Sequence, residues 1–303
     1  LQSIQTPSVA WTGLLPIIIL AAAAVLLLTI CSLFPDVITT KVLSTYTATA
    51  SLAALIATFP LWGKVQNSSE GPYSTLAGAF GVDGFSLFVT MLITIIVIIV
   101  CPLLSTFLER ENVNGPEPYV LLLLAATGGM IMAGANDFII LFLGIEVLSI
   151  SSYVLVAMNS KRIQSQEAGL KYFILGAFAS GFLLYGIALL YGATGSTSFT
   201  AIKAFTQQVE LANDALLLAA LALLIIGLAF KVAAVPFHFW SPDVYQGSPT
   251  PFVAFMASAV KVSGFAAILR VLYVTLGEYR ADWQPVIYAI AIATLLTGSL
   301  LAI

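Results

Sequence analysis

Long apolar runs recur along the whole 303-residue chain, and they constrain its fold more than any other feature. A run of 18 or more apolar residues can cross the hydrocarbon core of a bilayer, about 30 Å thick, as a helix. Backbone N–H and C=O groups find no water in that layer, so they must bond to each other within the helix. Charged residues make up only 8% of the sequence, against about 25% in soluble domains. The sequence therefore predicts an all-α, polytopic transmembrane helix bundle.

The apolar runs and the turn residues between them predict nine helices. Their predicted ranges are 12–34, 43–62, 83–108, 118–134, 136–158, 168–193, 215–243, 251–277 and 286–303. The polar loops between helices two and three and between helices six and seven are each long enough for a short surface helix. Basic residues are denser in the odd-numbered loops, which predicts that those loops are cytoplasmic and that the N-terminus lies outside.

Several ionisable residues fall inside the predicted helices. Glu146 and Lys261 each lie about ten residues from a helix start, which is a depth of roughly 15 Å. Lys231 follows a long apolar run, whereas Lys171 is only a few residues inside its helix and could reach the interface by snorkelling. A charge at membrane depth costs about 2.5–3.5 kcal/mol on insertion scales, so such residues are functional candidates.

One interpretation of these charges is purely structural, an ion pair between Glu146 and one lysine that holds two helices together. A single deep carboxylate cannot neutralise both Lys231 and Lys261, however. A lysine left without a counter-ion must be hydrated or must lose its proton, and a desolvated lysine can exchange protons near neutral pH. The set of residues therefore favours a proton path over a structural pair.

The stretch KVAAVPFHFW, residues 231–240, combines Lys231 with the only histidine of the chain. Pro236 has no N–H, so it breaks the predicted seventh helix and frees a backbone carbonyl. Broken helices at membrane depth line a cavity or pack against protein. If the helix roughly continues, His238 lies two turns beyond Lys231 on the same face, about 10 Å away. His238 is then either an ordinary core histidine or part of a proton relay.

Other polar residues have simpler interpretations. Asp83 stands at a helix start and is predicted to cap it, while Asp243 lies in a proline-rich turn. Two cysteines and one histidine cannot ligate an iron–sulfur cluster or a bis-histidine haem. We therefore expect no metal or cofactor in this chain, and any redox step must occur in a partner.

Three stretches carry a family resemblance. They are FKVAAVPFHFWSPDVYQGSPTP at 230–251, LFLGIEVLSISSYVL at 141–155 and AGLKYFILGAFASGFLLYGIALLYGATGS at 168–196. Together they resemble the subunit N family of proton-pumping NADH:quinone oxidoreductase, respiratory complex I. The resemblance covers nearly all of 80–303, and residues before it match only in hydropathy. Cation/proton antiporter subunits have related but different versions of the first stretch.

This resemblance implies an antiporter-like fold with inverted repeats and a broken seventh helix. Residues 1–80 would form N-terminal transmembrane helices, 81–280 the first repeat with its half-channel, and 281–303 the start of a second repeat that is cut short. The resemblance also implies five proton-transfer residues. Glu146 would pair with Lys231, Lys171 and Lys261 would match family lysines, and His238 would help to connect the polar axis.

The implied function is proton translocation in the membrane arm, coupled to quinone reduction elsewhere in the complex. NADH, FMN, iron–sulfur clusters and quinone would then bind to partner subunits. Sister antiporter-like subunits, small membrane subunits and the lipid bilayer would be the partners, with no nucleic acid, and the location would be a bacterial plasma membrane. Two alternatives stay open, a cation/proton antiporter and a scaffold whose polar axis carries no protons.

Overall fold

Helices dominate the computed structural model, which describes residues 9–34, 39–67, 71–113, 115–211 and 214–301. Within these ranges, nine helices are long and apolar enough to cross a membrane, which confirms the predicted helix bundle. In chain order the helices are α1 Trp11–Leu33, α2 Thr40–Gln66, α3 Gly84–Glu111, α4 Glu117–Gly134, α5 Phe138–Val156, α6 Ile163–Thr194, α7 Phe199–Thr206, α8 Ala215–Val232, α9 Trp240–Gly247, α10 Thr250–Thr275 and α11 Arg280–Leu301.

The largest difference from the prediction concerns the seventh membrane helix. The predicted range 215–243 is wrong, because α8 ends at Val232 and Ala233 adopts a left-handed conformation with φ of 56°. The chain then turns before the short helix α9 begins at Trp240. The helix is broken as predicted, but four residues earlier than Pro236 itself.

The two polar loops have different structures. The loop after α6 contains the predicted surface helix, α7. The loop after α2 instead contains a two-stranded antiparallel hairpin of β1, Tyr73–Thr75, and β2, Phe80–Val82. Leu76 and Ala77 between the strands adopt left-handed conformations, which close a tight turn and exclude a helix there.

The core of the bundle depends on close approach between helices. At Gly128 of α4, an added Cβ atom would lie 2.5 Å from the backbone nitrogen of Leu148 in α5. Any side chain there would force the two backbones apart, because the Leu148 nitrogen is part of the α5 backbone and cannot move without the helix. Glycine at this position lets α4 and α5 pack closely. This contact helps to position α5, the helix that carries Glu146.

A buried ion pair connects three helices at the end of the bundle opposite α9. Arg270 of α10 forms a salt bridge of 2.6 Å with Asp83 and donates a hydrogen bond from Nε to the carbonyl of Ala133 at 2.8 Å. Asp83 also caps α3 as predicted, since its side chain accepts a hydrogen bond from the backbone N–H of Ser86. The sequence indicated the cap but not the arginine that pairs with it.

Two π-helical turns interrupt α10, at Met256–Val260 and Arg270–Thr275. The first ends immediately before Lys261, and the second begins at Arg270. π-turns inside α-helices occur frequently at functional sites, because each one rotates the side chains that follow it. In α10 they set the directions of two of its charged side chains.

Large apolar side chains lie exposed along the outer faces of the helices, including Phe178 at 67%, Ile292 at 59% and Leu295 at 71%. A water-soluble protein rarely exposes so much contiguous apolar surface. Such faces are stable against lipid tails or other membrane helices, and the chain is therefore a multi-pass membrane protein.

Candidate functional site

The break after α8 leaves backbone carbonyls that need new partners. The N–H of Ala233 donates to the carbonyl of Phe230 at 3.0 Å, and the N–H of Ala234 donates to that of Ala229 at 2.9 Å. The indole Nε1–H of Trp240 makes a second hydrogen bond to the Phe230 carbonyl at 3.2 Å. The two backbone bonds end α8 one residue after Lys231. The bond from Trp240 holds the start of α9 against the end of α8.

Lys231 lies inside the bundle, with only 7% of its surface exposed. Its Nζ donates a hydrogen bond to Ser149 Oγ of α5 at 2.6 Å. Ser149 in turn donates to the carbonyl of Ile145, one turn earlier, at 2.5 Å. The sequence gives no sign that Ser149 pairs with this lysine, because the contact depends on how α5 and α8 face each other.

Glu146 lies one turn from Ser149 on α5. Its Oε1 accepts a hydrogen bond of 2.5 Å from Ser180 Oγ of α6. Among the described residues Glu146 forms no salt bridge within 4.0 Å, so the direct pair with Lys231 that the resemblance implies is absent from this structure.

A small cavity lies between the two serines and Lys231. Ser149, Ser180 and Lys231 line it, together with Tyr153 and Gly176. The space open to water is about 10 Å³, which is close to the minimum for one molecule. One water could therefore connect the serine that bonds Glu146 with the serine that bonds Lys231.

Lys261 lies on α10 next to the same break. A Cβ atom added at Gly264, one turn beyond Lys261, would be 3.6 Å from Lys231 Cγ, so this part of α10 packs against Lys231. The Nζ of Lys261 is buried and has no hydrogen-bond partner among the described residues. It lies 5.1 Å from the centre of the Trp240 ring, over its face.

Two other buried polar atoms near the break also have no partner in the described part of the chain, His238 Nδ1 and Tyr245 Oη. Buried polar groups without a protein partner usually bond to internal water. The predicted position of His238 on the face of Lys231 is wrong, because α8 has ended before it and His238 belongs to the turn that leads to α9. Burial raises the pKa of the Tyr245 hydroxyl above its usual value.

Lys171 is separate from the buried residues. Its side chain is 42% exposed and forms salt bridges with Glu167 at 2.8 Å and with Asp243 of α9 at 2.6 Å. These residues line an open polar cavity of about 360 Å³ together with Arg162. The turn interpretation of Asp243 missed this contact, which joins α6 to the segment after the break.

A model of one protein family matches residues 135–303, which include every residue of the site just described. Its description is NADH:quinone oxidoreductase/Mrp antiporter, transmembrane. The chain belongs to this family. The broken helix α8, Glu146 and the lysines of α6, α8 and α10 all lie within the matched part.

Several proteins with known names are similar to this chain. NADH-quinone oxidoreductase subunit N of Magnetococcus marinus is 37% identical over 299 residues, which are 99% of this chain and 60% of that protein. A chain of respiratory complex I from Thermus thermophilus is 38% identical, with a TM-score of 0.69 over 84% of this chain and 52% of that one. The Mrp complex of Dietzia sp. has the same fold, with a TM-score of 0.76 at 21% identity, covering 96% of this chain and 54% of the other. The chain spans about half the length of the curated relatives it matches.

We expect Ser149→Ala to weaken any function of this family that depends on the Lys231 proton. The variant removes the hydroxyl that accepts the hydrogen bond of Lys231, and a bond to a charged group is worth about 1.5–3 kcal/mol. If Lys231 carries that proton, translocation measured on the full-length chain in its assembled complex should fall about tenfold or more. Ser151→Ala is the matched control, because Ser151 is also buried on α5 but, within the described residues, its hydroxyl bonds only the carbonyl of Val147. Equal rates in the two variants would contradict this role of Ser149.

Proposed function

We propose that the chain is a proton-translocating membrane-arm subunit of NADH:quinone oxidoreductase that performs no redox step itself. The observation that supports this best is the row of buried and partly buried polar groups across α5, α6, α8 and α10. It begins at Glu146, passes through Ser180 and Ser149, and continues to Lys231 and Lys261 at the helix break. Electron transfer would occur elsewhere in the complex, where NADH, FMN, iron–sulfur clusters and quinone would bind. The chain would lie among other membrane-arm subunits, most simply in a bacterial plasma membrane.

The proposed cycle begins with Lys231 protonated. An ionised Glu146 stabilises the ammonium form, because opposite charges attract strongly in a medium of low dielectric constant. When Glu146 is neutralised or drawn away, that attraction is lost while the cost of holding a charge in the buried site remains. Lys231 then releases its proton, and internal water held by the unpartnered groups near the break accepts it.

Lys171 and His238 have different places in this proposal. Lys171, with Glu167 and Asp243, lies at an open polar cavity, so it would exchange protons with the aqueous side. His238 lies in the turn between α8 and α9, where water bonded to Nδ1 would continue the path. Lys261 would hold the proton for delivery to the next part of the subunit.

The proposed path is also the basis on which we divide the chain into three parts. Residues 81–280 contain all five proton-transfer candidates and would form the first repeat with its half-channel. Residues 1–80 would form helices that pack outside it, and 281–303 would begin the second repeat. The hairpin of β1 and β2 lies near the boundary at 80, where it contacts Asn136 through the carbonyl of Ala79.

A cation/proton antiporter is the second candidate, because its family is the same and buried charges suit either activity. The two functions differ in their driving force. We expect the full-length chain, in its assembled complex in sealed vesicles, to move protons when NADH and quinone are added. Without them, an imposed Na⁺ or K⁺ gradient should move no protons above the level of empty vesicles. Proton movement driven by the cation gradient alone would reject the proposal and favour the antiporter.

A further inference from the structure

Trp240 makes more specific contacts around the break than any charged residue there. It is 2% exposed, and its ring stacks on that of Tyr172 from α6 with centroids 4.7 Å apart and planes 16° apart. Its indole N–H bonds to the carbonyl of Phe230, the residue before Lys231. Lys261 lies over the ring face. Trp240 therefore contacts the three helices α6, α8 and α10 from the first residue of α9.

The contact with Lys261 has a particular chemical meaning, because the ammonium has no hydrogen-bond acceptor among the described residues. The face of an aromatic ring is electronegative, and tryptophan attracts cations more strongly than tyrosine or phenylalanine does. The attraction is largest where water is excluded. The ring thus stabilises the charged lysine while leaving its N–H bonds free for water.

The same ring is attached to the end of α8. Since Phe230 directly precedes Lys231, a shift of the last turn of α8 would move the indole through its hydrogen bond. That motion would change the distance between the ring face and Lys261. The stack on Tyr172 limits the ring to sliding in its own plane, so displacement would take the face away from the ammonium.

From these contacts we infer that Trp240 is a positioning residue for proton transfer at Lys261. It holds the ammonium at the break, and it couples the end of the broken helix α8 to that lysine. The inference rests on the proposed function, since it requires Lys261 to carry a transferred proton. It assigns a role to a side chain that has no ionisable group.

Fluorinated tryptophans test this inference with little change of shape. Tryptophans with one, two or four fluorine atoms on the ring would be incorporated at position 240. They keep the indole N–H and nearly the same ring size, but the fluorines withdraw electron density from the ring face. In the full-length chain within its assembled complex, NADH-driven proton translocation should fall stepwise, by about tenfold over the series. A purely structural tryptophan would give no graded response.

Trp283 provides a matched control. It is 3% exposed, its Nε1–H donates to the carbonyl of Leu276 at 2.9 Å, and its ring contacts that of Tyr273 at 5.2 Å. In the described part of the chain it has no lysine over its face. The same fluorinated series at Trp283 should leave translocation unchanged, within twofold.

Lys261→Ala separates the two proposals. If this variant reduces translocation while the Trp240 series stays flat, the inference about Trp240 is overturned and the proposed function stands. If Lys261→Ala has no effect, both the role of Lys261 and that of Trp240 are overturned. A graded loss at Trp240 together with a loss in Lys261→Ala supports the inference.

Discussion

Lys231→Ala should reduce proton translocation and quinone reduction together by about a hundredfold or more, because a positioned proton-transfer group typically contributes 10²-fold or more. Lys231 is buried, and its Nζ donates a hydrogen bond to Ser149 Oγ. Helix α10 packs against its side chain near Gly264. Alanine offers no group that can carry the proton across the break. Both rates should be measured on the full-length chain in its assembled complex in sealed vesicles.

Two controls make this result specific. Lys203→Ala removes an exposed lysine from the surface helix α7 and should change neither rate. The amount of assembled complex in the membrane should be equal in both variants, which excludes misfolding as the cause. If Lys231→Ala retains normal rates, Lys231 has no part in translocation. A normal ratio of protons to electrons after changing Glu146, Lys171, Lys231 and Lys261 together would favour a scaffold.

Asp83→Ala should destabilise the folded chain by about 3 kcal/mol. Removing one partner of a buried ion pair typically costs 3–5 kcal/mol, because the other charge remains buried without compensation. The side chain of Arg270 is 5% exposed and that of Asp83 is 26% exposed, so we expect the lower end of this range. Thermal unfolding of the purified full-length chain in its complex should show the loss as a lower midpoint.

Asp214→Ala is the matched control for helix capping. Asp214 caps α8 through the N–H groups of Leu216 and Leu217, and losing such a cap costs about 1 kcal/mol. The double variant Asp83→Ala with Arg270→Met should be more stable than Asp83→Ala alone, since it leaves no unpaired charge. If Asp83→Ala and Asp214→Ala lower the midpoint equally, the ion pair contributes nothing beyond the cap.

Much of the fold could be predicted from hydropathy, because a membrane helix needs a long apolar run and little else. The starts of α1 and α3 lie within one residue of their predictions. The end of α8 was missed by a wider margin, since Pro236 signals a break but the left-handed Ala233 that closes the helix has no signature in its residue type. The hairpin after α2 was missed for a similar reason, because its strands are three residues long.

The candidate site, like the fold, could be predicted only in part. Depth in an apolar run identifies Glu146, Lys231 and Lys261, and a family motif adds Lys171 and His238. Neither signal could place Ser180 between the helices or put Arg270 beside Asp83, because contacts between distant segments depend on how the helices rotate. For Arg270 and Lys261, the π-turns of α10 add to that rotation. No pattern in their sequences, MASAV at Met256–Val260 and RVLYVT at Arg270–Thr275, predicts a π-turn.

The hydroxyl of Ser149 has only one hydrogen, and in this structure it points at the carbonyl of Ile145. An amide oxygen is too weak a base to keep a proton, so in that orientation Ser149 can pass no proton on. For the proposed path from Glu146 to Lys231, the O–H bond would first have to turn from this carbonyl toward an unprotonated Lys231. After each transfer the O–H bond would be left reversed and would need to rotate back, so this one hydroxyl would pass protons one at a time.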